Sequence, residues 1–175
     1  MNNATPGVLN LGGVPNTPNR LLYSRFFPAA HATSTDFDAD AKADLAVWRP
    51  SDGGWYIRFS SDDTSSGMQW GAPNDQIVPG DYDGDGKADR AVWRPGNGIW
   101  HIINSSTGAP RYEYWGTAGD IPVPVDYDGD GKADIAVWRP GTGIWYIIRS
   151  STGAPQYEYW GTSGDVPIPS AYNRY

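Results

Sequence analysis

The chain has 175 residues, enough for one domain with a sizeable core, and its formal charge of −7 speaks against nucleic acid or an anionic membrane surface as partner. There is no cysteine, hence no disulfide framework, and no apolar run approaches the ~20 residues needed to span a bilayer, so no membrane insertion is expected.

The first stretch, residues 1–35, opens as MNNATPGVLNLGG. It lacks the basic and apolar regions of a signal peptide, and GVLNL and RLLYSRF are expected strands that contribute to a closing unit. At Asp36 the text changes. DFDADAKADLAVWRP begins there and returns as DYDGDGKADRAVWRP at Asp81 and DYDGDGKADIAVWRP at Asp126, a spacing of 45 residues. A fixed period of this size identifies a repeat protein. The repeats are 36–80, 81–125 and 126–170, with 171–175 beginning a truncated fourth. The second and third share 36 of 45 residues but the first and second only 21, so the first has drifted most.

Each repeat starts with four aspartates at positions 1, 3, 5 and 9, and a tight turn aims all of them inward. Such carboxylates repel one another unless a cation supplies the missing positive charge. The opening D-x-D-x-D-G is the calcium-loop pattern, in which a backbone carbonyl at position 7 joins the alternate carboxylates around a sharp turn at position 6. The expected Ca²⁺ ligands are Asp36, Asp38, Asp40, Lys42 and Asp44, then Asp81, Asp83, Asp85, Lys87 and Asp89, then Asp126, Asp128, Asp130, Lys132 and Asp134, each lysine through its carbonyl. An EF-hand would place Glu at position 12; Val137 stands there, so the loop belongs to a β setting. Three ions would bring −7 to −1, which makes the acidity mostly a property of these loops. In the first loop Ala39 and Ala41 replace the two glycines. A side chain in a left-handed turn costs roughly 1–2 kcal/mol, so this loop is expected to bind about 5- to 30-fold more weakly.

Within the third repeat, residues 121–127, 134–140, 144–150 and 156–161 read as four strands bounded by Gly and Pro, with the acidic loop between the first two. IWYII is apolar on both faces, which suits a small antiparallel sheet stacked between neighbours. Pro122 and Pro124 confine the first strand to an edge. The nine tryptophans fall at three places per repeat, as Trp48/Trp93/Trp138, Trp55/Trp100/Trp145 and Trp70/Trp115/Trp160, and that regularity reads as packing. Arg49, Arg94 and Arg139, each between Trp and Pro, are expected to bond neighbouring carbonyls or carboxylates.

DYDGDGKADIAVWRP…GIWYIIRSSTGAPQYEYWG resembles the FG-GAP-like (VCBS-type) repeats of bacterial extracellular proteins, related to the calcium-bearing blades of integrin α-subunit propellers; the likeness covers about residues 31–172. It implies an all-β, β-propeller-type fold with four-stranded antiparallel blades and an extracellular location. Three blades do not close a ring. A fourth blade stitched from both termini, a homo-oligomer that completes the ring, or a longer parent protein would each resolve this. No nucleophile elbow, P-loop or HExxH is present, and no catalysis is expected. Two functions remain: a calcium-stabilised structural, adhesion or scaffold module with a protein or glycan partner, and a lectin-like propeller. For the second, the YEYW segments supply the candidates Tyr112, Tyr114, Trp115, Tyr157, Tyr159 and Trp160.

Overall fold

Short runs rich in β-branched and aromatic residues, bounded by glycine and proline turns, form eleven short strands among the described residues. The computed structural model describes residues 34–170, and among these there is no α-helix. The first repeat provides β1 (Leu45–Arg49), β2 (Gly54–Arg58) and β3 (Ser65–Gln69). The second provides β4 (Gln76–Ile77), β5 (Arg90–Arg94), β6 (Ile99–Ile103) and β7 (Pro110–Tyr114), and the third β8 (Ile121–Pro122), β9 (Ile135–Arg139), β10 (Ile144–Ile148) and β11 (Pro155–Tyr159). A single 3₁₀ turn, Ile168–Ser170, follows.

Three antiparallel sheets result, in the orders β1-β2-β3, β4-β5-β6-β7 and β8-β9-β10-β11. The expected first strand is real but short. β8 pairs only Ile121 and Pro122 with Trp138 and Val137, and pairing resumes at the single bridge Val125–Asp134. Pro122 and Pro124 have no N–H to donate, so a continuous ladder is impossible there. In the first repeat the corresponding residues precede Ser34, outside the described residues, as do the expected strands GVLNL and RLLYSRF; residues 171–175 are likewise outside.

Register puts Trp48 opposite Trp55, Trp93 opposite Trp100 and Trp138 opposite Trp145. In the first two sheets both indoles of a pair donate to one carbonyl, that of Trp70 (3.3 and 2.9 Å) or Trp115 (3.1 and 2.9 Å). The third tryptophan then reaches the next sheet: Trp70 Nε1 donates to His101 O at 3.0 Å and Trp115 Nε1 to Tyr146 O at 2.9 Å. The indole N–H of these two half-buried residues thus finds a partner while the rings fill the space between sheets, whereas the buried Trp138 Nε1 meets none among the described residues. The hairpins beneath this contact are tight. A Cβ on Gly98, at φ 71°, would run into the Gly116 carbonyl.

The core lies between sheets. Ala91, Trp93, Trp100 and Ile102 of the second sheet pack with Ile135 and Val137 of the third, and Trp55 and Ile57 of the first pack with Val92 of the second and with Ala88 in the loop before it. Val92 and Val137 are fully buried, whereas their counterpart Val47, on the outward face of the first sheet, is 62% exposed. At the other end of the described chain Ile168 is 74% exposed, although its counterparts Val78 and Val123 are fully buried.

Candidate metal loops

The acidic loops occupy the connection that precedes β1, β5 and β9, and their shape is set by the aspartates themselves. Position 1 accepts two amides of its own loop. Asp36 takes those of Ala39 and Ala41 (2.8 and 3.0 Å), Asp81 those of Gly84 and Gly86 (2.6 and 2.9 Å), and Asp126 those of Gly129 and Gly131 (2.6 and 3.0 Å). The residue at position 5 accepts the amide of the lysine at position 7, at 2.8–2.9 Å in all three loops. These turns require left-handed residues at positions 4 and 6: φ is 83° and 89° at Gly84 and Gly86, and 80° and 91° at Gly129 and Gly131. Ala39 and Ala41 adopt the same conformation, at 67° and 66°. The first loop therefore has the shape of the other two and carries the strain of two left-handed alanines.

Three carboxylates converge in each loop, their nearest oxygens all within 4.8 Å of one another: Asp36, Asp38 and Asp40; Asp81, Asp83 and Asp85; Asp126, Asp128 and Asp134. Asp44, Asp89 and Asp130 stand outside these triads. Position 9 has a second task that its spacing does not reveal. Asp44, Asp89 and Asp134 are buried, and one oxygen of each accepts the amide at position 2, from Phe37, Tyr82 or Tyr127, at 2.7–2.8 Å. The other accepts the amide of Ser60, Ser105 or Ser150, at 2.8, 2.6 and 2.7 Å. The lysines place their amides as described; Lys42 Nζ also lies 3.2 Å from Asp40.

In the second loop burial opposes the charged form of two carboxylates. Burial raises the Asp81 carboxyl and pushes that of Asp89 up to about 6, against the backbone donors that favour the charged forms. In the third loop the Asp128 carboxyl sits below its usual range, chiefly because Ser151 donates its hydroxyl to it. Its other oxygen, Oδ1, is buried and makes no hydrogen bond of ordinary geometry, and the nearby Asp130 amide also lowers the Asp128 carboxyl. An all-oxygen set of clustered carboxylates with such an oxygen suits a hard divalent cation better than zinc, which favours nitrogen and sulfur. These groups can hold a metal ion.

Neighbouring loops are joined through their backbones. Ala88 N donates to Asp36 O and Ala133 N to Asp81 O, both at 2.6 Å, so position 8 of one repeat is bonded to position 1 of the one before it.

The remaining candidates separate into two groups. Tyr112 packs on His101 and Trp70, Tyr157 on Tyr146 and Trp115, and Trp115 bonds the next sheet, so these three serve the contact between sheets. Tyr114, Tyr159 and Trp160 are 75%, 79% and 78% exposed. Two of the arginines have found carboxylates 19 residues back, each just before the strand paired with the arginine's own: Arg94 forks onto Asp75 (2.8 and 2.9 Å) and Arg139 onto Asp120 (2.7 and 2.9 Å). Arg49 instead bonds the Tyr56 hydroxyl at 2.9 Å and lies 3.6 Å from Asp52. Asp75, Asp120 and the serine pairs did not stand out in the sequence, although each recurs at the same place in its repeat.

Residues 81–137, from the second acidic loop into β9, match the FG-GAP-like repeat. No curated protein and no solved structure matches the chain.

Proposed function

We propose that the chain is a calcium-binding β-propeller-type module without a catalytic role, serving as a structural, adhesion or scaffold part of an extracellular protein. The observation that carries this reading is the recurrence in every repeat of a carboxylate triad within 4.8 Å, built from positions 1, 3 and 5 in the first two loops and from positions 1, 3 and 9 in the third. Bound Ca²⁺ would neutralise those carboxylates, which otherwise oppose the folded loop. The stacked sheets of like strand order, the short proline-bearing innermost strand and the FG-GAP-like repeat support a propeller. The bare Val47 face supports completion of the ring by another copy of the chain.

Calorimetric titration of the chain with Ca²⁺, with thermal melts in calcium and in EGTA, tests the reading. At free Ca²⁺ of about 10 to 100 times the dissociation constant, each site contributes roughly 1.4–2.7 kcal/mol to stability. Mg²⁺, which demands a tighter octahedral shell, stabilises less. Melts that coincide with and without EGTA refute the calcium role.

A second reading, carbohydrate binding, is favoured by the exposed rings of Tyr114, Tyr159 and Trp160, flat surfaces of the kind on which sugars stack. A glycan array probed with the chain and with a Tyr114→Ala/Tyr159→Ala variant separates the two: binding that disappears in the variant supports the lectin, and a blank array with intact chain excludes it for the glycans displayed.

A further inference from the structure

Every acidic loop is closed from outside by two consecutive serines. They sit in the hairpin between β2 and β3, β6 and β7, or β10 and β11, and they reach the loop because sheet pairing folds that hairpin back over it. Ser61 Oγ donates to Asp38 at 2.6 Å and Ser60 Oγ to Asp40 at 2.8 Å. Ser106 donates to Asp83 at 2.7 Å and Ser105 to Asp85 at 2.8 Å; Ser151 donates to Asp128 at 2.6 Å and Ser150 to Asp130 at 2.9 Å. The hydroxyl pattern is the same in all three, including the first repeat, where most of the surrounding hairpin differs: SSDDTSS against SSTGAPR.

We propose that these serine pairs are positioning residues of the cation sites. Resting on the calcium reading above, the proposal assigns them two effects. A hydroxyl bonded to each carboxylate at positions 3 and 5 fixes its rotamer with the loop formed, so that fewer torsions are lost when an ion arrives. The donated protons also offset part of the mutual repulsion of the carboxylates, while each oxygen keeps a further lone pair for the metal. The first serine's amide on position 9 ties the same hairpin to the start of β1, β5 or β9. Cation binding is thereby coupled to the outer half of the sheet, although the ligands all come from the inner half. Partners of this kind, one shell beyond the ligands, typically govern 10- to 100-fold of metal affinity.

The test is calcium calorimetry on the full chain, comparing wild type with Ser105→Ala/Ser106→Ala and with Ser105→Thr/Ser106→Thr. The backbone amides persist in both variants, so only the hydroxyls differ. The alanine variant is expected to lose about 10- to 100-fold at one site while the other sites keep their affinity, and the threonine variant to stay within about 3-fold of wild type. Wild-type affinity at all sites in the alanine variant overturns the proposal, and so does an equal loss in both variants, which would implicate the hairpin's packing in place of its hydroxyls. If the alanine variant does not fold, Ser150→Ala/Ser151→Ala in the third repeat takes its place with the same criteria. A wild-type chain that takes up no calcium overturns the calcium reading itself, an outcome distinct from the others.

Discussion

Replacing Ala39 and Ala41 by glycine isolates the energetic difference between the first loop and the other two. Both alanines are left-handed, at φ 67° and 66°, where an L side chain costs roughly 1–2 kcal/mol. Glycine removes that cost but returns roughly 0.4–1 kcal/mol by freeing the unfolded chain. The net gain is about 0.5–1 kcal/mol at each position, which in a chain of this size raises Tm by roughly 1–4 °C for Ala41→Gly and 2–8 °C for the double variant. Asp36 holds this turn through the amides of Ala39 and Ala41, contacts that need no ion, so the strain is expected to belong to folding and to cancel from calcium binding. A ligand responds only to what differs between the two states it connects. The 5- to 30-fold weaker affinity expected from the sequence should therefore shrink to less than about 3-fold, with the difference appearing in the melting temperature of the metal-free protein. Differential scanning calorimetry in EGTA measures the first quantity and calcium titration the second. Gly86→Ala is the converse control: a Cβ there meets no atom within 4 Å, so any loss comes from the backbone alone. An unchanged Tm for Ala41→Gly, with a tenfold or greater gain in affinity, would refute this reasoning and mean that the metal-free loop is not left-handed in solution.

Arg94→Ala leaves the buried Asp75 carboxylate with only the Ala72 amide and should cost roughly 2–4 kcal/mol in denaturant unfolding, whereas Arg49→Ala, at an exposed pair, should cost under about 1 kcal/mol. Burial holds the His101 imidazole below its ordinary pKa, so the fold favours the neutral ring. The stability this gives is present above pH 6.5 and is lost as the pH falls below it, and His101→Tyr, the residue of the other two repeats, should flatten the decline in Tm between pH 7 and 5 relative to wild type. Trp115→Ala should cost about 3–5 kcal/mol because it vacates the contact between two sheets, while Trp160→Ala should leave the stability of an isolated chain nearly unchanged; if Trp160→Ala lowers both Tm and the solution mass, a second copy covers that residue.

Strand order and loop position were legible because they rest on local rules: short apolar runs of β-branched and aromatic residues, glycine turns and proline's missing N–H. The left-handed requirement at Ala41 followed from loop chemistry, and the arginines were expected to meet carboxylates. What stayed hidden arises from hairpin pairing. Ser105 and Asp85 are 20 residues apart, and Arg94 and Asp75 are 19 apart; only the folded sheet makes them neighbours. The double use of Asp89 was concealed for the same reason. Its spacing from Asp81 suits a ligand, yet one of its partners is the Ser105 amide, 16 residues downstream.

The bonds between repeats described above join neighbours alone: Trp70 to His101, Trp115 to Tyr146, Ala88 to Asp36 and Ala133 to Asp81. A structure of this kind behaves as a one-dimensional array whose free energy is a sum over units and over adjacent pairs. Among the described residues the middle unit takes part in two such pairs and each outer unit in one. Equal lesions are therefore unequal in effect. Opening the second repeat severs both junctions at once, while opening the first or third severs one, so fraying starts at the ends and amide exchange is slowest in β5 and β6. Along an open stack the same arithmetic lets one more 45-residue unit add a sheet and a junction of a type the chain already contains, whereas closure into a ring fixes the number of units.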